Sequence, residues 1–142
     1  MADATITPAE VRASSAASIH HGTFGATITA GTPMYKDTDG TLKAGDADGT
    51  AAQADLEGIA LNGGSAGQPA VYTDYDPQFD PGFAPSNSAA GAKGVYVLSD
   101  TAGGVKPVAD LAEGDRPVIL YVANDANTVF LKIVKSAGAL TA

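Results

Sequence analysis

The chain has 142 residues, enough for one domain, but Ile, Leu, Val and Phe together supply only 28 of them and Ala supplies another 28. With 17 Gly and 8 Pro, this composition predicts a small core and long irregular segments. The absence of Cys excludes disulfides and thiol catalysis. The net charge of −8 argues against a nucleic-acid partner, and no apolar run is long enough to predict a membrane partner.

Residues 1–25 predict an extended N-terminal arm, because their apolar residues stand singly, without helix or strand periodicity. Neighbouring histidines on an extended chain point in opposite directions, so we expect no shared metal ion there. We expect the arm to contact a partner through Ile6, Val11, Ile19, His20, His21 and Phe24.

Residues 26–142 predict a single β domain, because short alternating runs are separated by Gly and Asp turns. The Asp39-Gly40 pair predicts a hairpin turn between two of these runs. In chain order, the predicted strands of the first half lie at 26–31, 33–36, 41–43 and 56–61. The second half ends in a strongly apolar hairpin, with strands at 117–122 and 129–134 around a turn at 124–127, and we expect it to form the centre of the core.

The second half resembles a copy of the first. Residues 37–43 align with residues 100–106 at an offset of 63, and the same offset places Gly31 on Gly94 and Met34 on Val97. Repeated turn chemistry at one spacing indicates duplication. We therefore predict two related β units that pack as one small barrel or sandwich.

A stretch of different composition separates the two units. Residues 72–85 contain three Pro and four of the nine aromatic residues, which predicts a surface excursion at about 69–92 rather than a central strand. The aromatic side chains of this stretch either plug the end of the barrel or contact another chain; they are Tyr72, Tyr75, Phe79 and Phe83.

No pattern in the sequence predicts catalysis, a cofactor or a metal. Both histidines lie in the predicted arm, and the Asp-x-Asp-Gly segments at 37–40 and 46–49 lack the remaining ligands of a calcium loop. An acidic cluster at Asp74, Asp76 and Asp80 is an alternative, as a cation site or a hydrolase acid pair, but a solvated or partner-facing acidic loop is favoured. We expect a protein that is not an enzyme.

Four segments carry a family resemblance: residues 28–43 and 58–63 in the first half, and 96–99 and 109–115 in the second. Over about residues 26–135 the chain resembles the small decoration, or cement, proteins of tailed-bacteriophage heads. The resemblance implies an all-β protein, made in the host cytoplasm, that binds the major capsid protein on the outer surface of the virion. It also implies self-association, usually as a trimer, and no catalytic residues. The alternative is a surface-displayed binding module, for example for glycans, that uses the Tyr72–Phe83 loop.

Overall fold

The chain is built almost entirely from β-strands. The computed structural model describes residues 4–83, 94–124 and 128–135. These residues contain no α-helix, only short 3₁₀ segments at Pro8–Glu10, Ala52–Ala54 and Val108–Asp110. The strands are β1 (Ser18–Thr23), β2 (Pro33–Lys36), β3 (Leu42–Ala44), β4 (Leu56–Ala60), β5 (Pro69–Phe79), β6 (Val95–Leu98), β7 (Val105–Pro107), β8 (Val118–Ala123) and β9 (Val129–Lys135). The all-β prediction is confirmed.

The strand order reveals the duplication. All strand pairings are antiparallel, and the order is β3-β2-β4-β5-β9-β8-β6-β7, with β1 beside β5. It reads the same from both ends when β2 is matched with β6, β3 with β7, β4 with β8 and β5 with β9. The prediction of two related β units is therefore confirmed, and the units meet where β5 pairs with β9.

The alignment of the two units needs one correction. In the first hairpin Met34 pairs with Ala44, and in the second the equivalent pair is Tyr96 with Pro107. The structural counterpart of Met34 is thus Tyr96, and the prediction of Val97 is wrong. The reason is a longer turn: residues 37–41 connect β2 to β3, whereas residues 99–104 connect β6 to β7.

Both hairpins keep the same ion pair across the turn. Lys43 lies 2.6 Å from Asp37 in the first hairpin, and Lys106 lies 3.6 Å from Asp100 in the second. Gly40 and Gly103 both have positive φ, which glycine adopts without strain. The repeat noticed in the sequence therefore reflects two turns of similar chemistry.

The two ends of the sheet come together, so that the sheet curls into a half-barrel. The Gly103 amide in the β6–β7 turn donates to the Gly45 carbonyl, just after β3, over 2.7 Å. The Ala47 amide donates to the Ser99 carbonyl over 3.0 Å. These bonds connect the terminal hairpin of each unit to the other unit.

The stretch predicted as a surface excursion is the longest strand, β5, and that prediction is wrong for residues 69–79. Its prolines are tolerated for positional reasons. Pro69 is the first residue of the strand, and Pro77 lies where the pairing with β9 shifts register, so neither has to donate a ladder hydrogen bond. Residues 84–92 of the predicted excursion lie outside the described residues.

The N-terminal segment lies along its own domain, and we call residues 4–25 the strap. Ala4 donates to the Val105 carbonyl of β7, and Arg12 exchanges two backbone hydrogen bonds with Asp80. Strand β1 then runs along β5, and Gly25 donates to the Leu42 carbonyl of β3. The expected arm, reaching away from the domain, is therefore incorrect for these residues, because their backbone groups pair within the chain.

The strand predicted at 26–31 is also incorrect, because this segment makes only one isolated bridge, from Ile28 to Gly64. The other predicted strands are present. The turn predicted at 124–127 lies largely outside the described residues.

The core consists of two clusters. The larger draws on both units and includes residues of the closing hairpin, as predicted; it contains Val11, Ala30, Tyr35, Ala47, Ala54, Leu56, Ile59, Phe79, Tyr96, Leu98, Val105, Val118, Leu120, Tyr121, Val129 and Leu131. The smaller lies in the first unit and contains Phe24, Ile28, Met34, Leu42, Ala60, Ala70 and Tyr72. The strap contributes to both, through Val11 and Phe24, which makes it part of the fold.

Candidate functional site

The strongest surface feature follows from the sequence of β9, Val-Phe-Leu-Lys-Ile-Val-Lys. Alternate residues of a strand point to opposite faces, and five of the seven positions here are apolar. Val129 and Leu131 are fully buried, whereas Phe130 and Val134 on the other face are exposed. The outward face of the strand therefore presents Phe130 and Val134 to solvent, with the exposed Lys132 between them.

Neighbouring strands extend this surface. Val122 of β8 pairs directly with Phe130, and the ring of Tyr75 on β5 meets the Phe130 ring edge-on, with centroids 5.7 Å apart. These three side chains are 39–40% exposed, and Val134, opposite Ile119, is 50% exposed. We call Tyr75, Val122, Phe130 and Val134 the apolar face. Large contiguous apolar patches on protein surfaces commonly mark interaction sites.

A groove borders the apolar face where the partners of β5 change. Strand β4 pairs with β5 at Tyr72 and Thr73, and β9 pairs with it from Tyr75 onward. Because β1 occupies the other edge of β5, β4 and β9 must share one edge and diverge near Asp74. The resulting groove has a volume of about 310 Å³ and is lined by Leu56, Glu57, Asp74, Tyr75, Lys132, Ile133 and Lys135.

The groove combines an aromatic wall with charged groups. Lys135 is ion-paired with Asp55, and Asp74 lies 3.0 Å from the Nε2 atom of His20. Lys132 has no ion-pair partner among the described residues. An ammonium group is thus available at the rim, beside the Tyr75 ring.

The structure separates the ten predicted contact residues into three groups. Four side chains are buried in the core and cannot reach a partner, so their prediction as contacts is wrong: Val11, Phe24, Tyr72 and Phe79. Ile6 and Phe83 are half-buried against the larger core cluster, and the Phe83 ring packs on those of Tyr96 and Tyr121. The exposed members are Ile19, His20, His21 and Tyr75. Tyr72 and Phe79 are core residues of strand β5.

Sequence reasoning missed Val122, Phe130 and Val134. A signal was present: β8 is apolar throughout and β9 carries apolar residues at both alternating sets of positions, whereas an antiparallel sheet commonly buries only one of its faces. These runs were interpreted as the centre of the core, which is correct for one face only.

The three acids of β5 and its C-terminal end do not cluster. The fully buried Asp76 carboxylate accepts the Ser14 amide at 2.7 Å and the Gln78 amide at 3.0 Å, and it also accepts the Ser14 hydroxyl. Asp80 accepts the Gly82 amide at 3.0 Å. Asp74 faces His20. Each of the three carboxylates therefore has hydrogen-bond partners of its own, and they form no acid pair.

A different acidic group is assembled by the fold. Carboxylate oxygens of Asp48, Asp100 and Asp115 lie within 4.8 Å of one another. The Lys106 ammonium lies 2.7 Å from Asp115 and 3.6 Å from Asp100. Burial lowers the pKa of Lys106, but the hydrogen bond and charge of Asp115, with Asp100, outweigh this and leave that pKa above its ordinary value. Within this group Lys106 of β7 and Asp115 form a buried ion pair, whereas Asp48 and Asp100 are exposed.

The Asp residues of the segments 37–40 and 46–49 stabilise turns, as the Asp turns of the sequence predicted. Asp39 accepts the Thr41 amide at 3.0 Å, and Asp46 accepts the Asp48 amide at 3.2 Å. Such short-range bonds from Asp stabilise turns.

No protein-family model matches the chain, and no significantly similar protein was found among curated proteins. In the part of the chain that the structure describes, no helix is long and apolar enough to cross a membrane.

Proposed function

We propose that this is a structural decoration protein, which binds the major capsid protein on the outside of a phage head and stabilises the shell through its apolar face. The observation that carries the proposal is this face, since an exposed set of aromatic and branched side chains on a rigid sheet suits association with another protein. The sequence resemblance at residues 28–43 and 96–99 supports the choice of partner.

The size of the interaction suits a protein that acts in many copies. Tyr75, Val122 and Phe130 are each about two-fifths exposed, so burying the exposed part of each side chain against a partner contributes roughly 1 kcal/mol to binding. One face of this kind gives modest affinity after the costs of association. Repeated over a shell, and linked through self-association, the same contact gives strong reinforcement.

The strap changes how the proposal must be tested. Deleting residues 1–25 would remove Val11 and Phe24 from the core, so loss of binding after deletion would report unfolding. Substitutions on the apolar face are a sharper test than the deletion, because they leave the backbone and the buried core residues unchanged.

The experiment is co-sedimentation with expanded heads lacking their decoration protein, together with the temperature at which the heads rupture. We expect Phe130→Ser to weaken binding about fivefold and to lower the rupture temperature of decorated heads. Ala51→Ser is the control, since Ala51 is exposed but lies outside the apolar face and outside the predicted contact residues. Full occupancy and unchanged rupture with Phe130→Ser would contradict the proposal. The trimer implied by the resemblance stays a prediction, which the sedimentation coefficient of the free protein tests.

A second candidate is glycan binding, favoured by the groove. Its exposed Tyr75 ring offers a platform for the apolar face of a sugar, and Glu57, Asp74 and Lys132 offer hydrogen-bond partners for hydroxyl groups. The segment predicted to form the glycan-binding loop is strand β5, so the ligand would bind on the surface of the sheet.

A glycan array followed by titration tests this candidate. Binding that is lost in Tyr75→Ala and weakened in Glu57→Gln, but kept in Val122→Ser, would support the groove. Phe79→Ala is unsuitable, because Phe79 is fully buried and its loss would damage the core.

A further inference from the structure

A charged side chain lies within the apolar face. Lys132 is on the outward side of β9, between the exposed Phe130 and Val134. On the neighbouring strand β5, its cross-strand partner is Tyr75. Cross-strand partners of an antiparallel pair project from the same side of the sheet, with Cβ atoms about 5 Å apart. The ammonium group of Lys132 is therefore placed within the surface that the proposed function assigns to a partner.

The chain does not neutralise this ammonium group itself, although its acids outnumber its bases by 16 to 8. Carboxylate partners belong to three other lysines: Lys43, Lys106 and Lys135. Lys132 has no such partner in the ranges that the structure describes. Neither acid of the groove supplies one, since Asp74 faces His20 and Glu57 forms no ion pair with Lys132. A positive charge is thus left for an outside partner.

Covering the apolar face removes this ammonium group from water. A charged group is costly to desolvate unless an opposite charge or hydrogen-bond acceptors receive it. The gain from covering the exposed parts of Tyr75 and Phe130 is too small to offset that cost. A partner that covers the face must therefore offer Lys132 an acceptor, and a carboxylate is the acceptor that also neutralises its charge.

We propose that the partner covers the apolar face with an apolar patch that contains an Asp or Glu side chain, and that this carboxylate forms an ion pair with Lys132. The inference rests on the proposed function, because it names the chemistry of the capsid surface that receives this face. The ion pair would also set the alignment of the two surfaces. Apolar contacts have no direction, whereas a charge pair across an interface fixes its register.

Co-sedimentation of three variants with expanded heads that lack their decoration protein tests the ion pair. Lys132→Met keeps the apolar stem of the side chain and is expected to weaken binding roughly thirtyfold, because the partner's carboxylate would be buried without its cation. Lys132→Arg keeps the charge and is expected to retain most of the affinity. Lys36→Met is the matched control: it removes the same charge from an exposed position on β2, which β4 separates from the apolar face, and is expected to bind as wild type.

Circular dichroism establishes that each variant is folded, since both lysines are exposed. Binding by Lys132→Met that is as tight as that of wild type, or tighter, would overturn the inference, because the ammonium group would then remain in water. An equal loss in Lys36→Met would also overturn it, since net charge alone would explain the effect. Phe130→Ser separates the two proposals. If it weakens binding and Lys132→Met does not, only the ion pair is wrong; if neither weakens binding, the apolar face is not the contact and both proposals fail.

Discussion

The contact between the Asp76 carboxylate and Ser14 is predicted to hold the strap on the domain. In Asp76→Ala, three donors lose a charged acceptor: the Ser14 and Gln78 amides and the Ser14 hydroxyl. A hydrogen bond to a charged group contributes about 1.5–3 kcal/mol. Because the strap can open and return its donors to water, we expect a smaller total, a loss of roughly 3 kcal/mol in the free energy of unfolding.

Urea unfolding followed by circular dichroism measures this loss, and hydrogen exchange locates it. We expect faster exchange in residues 12–23 than in β8 and β9, because the strap opens first. Asp80→Ala is the control: among the residues that the structure describes, the Asp80 side chain accepts the nearby Gly82 amide alone, so its loss is expected to cost about 1 kcal/mol. A change below 1 kcal/mol in Asp76→Ala, with unaltered exchange, would refute the reasoning.

Three further substitutions test the duplicated units. Lys106→Met leaves the buried Asp115 without its ion-pair partner and is expected to lower the free energy of unfolding in urea by about 3–5 kcal/mol. Because folding raises the pKa of Lys106, the stability that Lys106 contributes is complete below its ordinary pKa of 10.5 and is lost as the pH rises through the folded pKa. The free energy of unfolding should therefore fall less steeply with alkaline pH in the variant than in the wild type. Gly58→Ala would place a Cβ atom 2.6 Å from the Thr73 carbonyl oxygen, and we expect a lower melting temperature, corresponding to about 1–3 kcal/mol. Gly103→Ala forces a side chain onto a φ of +78° and is expected to cost about 1–2 kcal/mol, whereas no measurable loss would contradict the positive φ.

Much of the fold was predictable because its signals are local. The hairpins around Gly40 and Gly103 follow from turn residues within a few positions, and the runs of β8 and β9 are apolar enough to predict strands. The repeat was visible for the same reason, since a duplicated turn keeps its Asp, Gly and Lys.

The strap and β5 were not predictable, because their signals are not local. Asp76 can be buried only because Ser14, 62 residues earlier, supplies its hydrogen bonds. Nothing near Asp76 in the sequence indicates this partner, so an Asp in a Pro-containing segment predicted a surface loop. The single apolar residues of the strap likewise depend on distant strands for their burial.

Only part of the candidate site was predictable. Tyr75 was expected to contact a partner, and it is exposed; its neighbours Val122 and Phe130 come from strands whose composition predicts core. Which face of an all-apolar strand is covered depends on how the two units pack. The sequence pattern of one strand does not contain that information.

The covering of β7 by Ala4 also constrains how the chain folds during synthesis. The two partners are 101 residues apart, so Ala4 cannot pair until β7 has been synthesised. Contacts between such distant residues are slow to form and leave edges exposed meanwhile. We expect the first unit to collapse early and the strap to dock last, so that only a chain with both units completed acquires its closed edges.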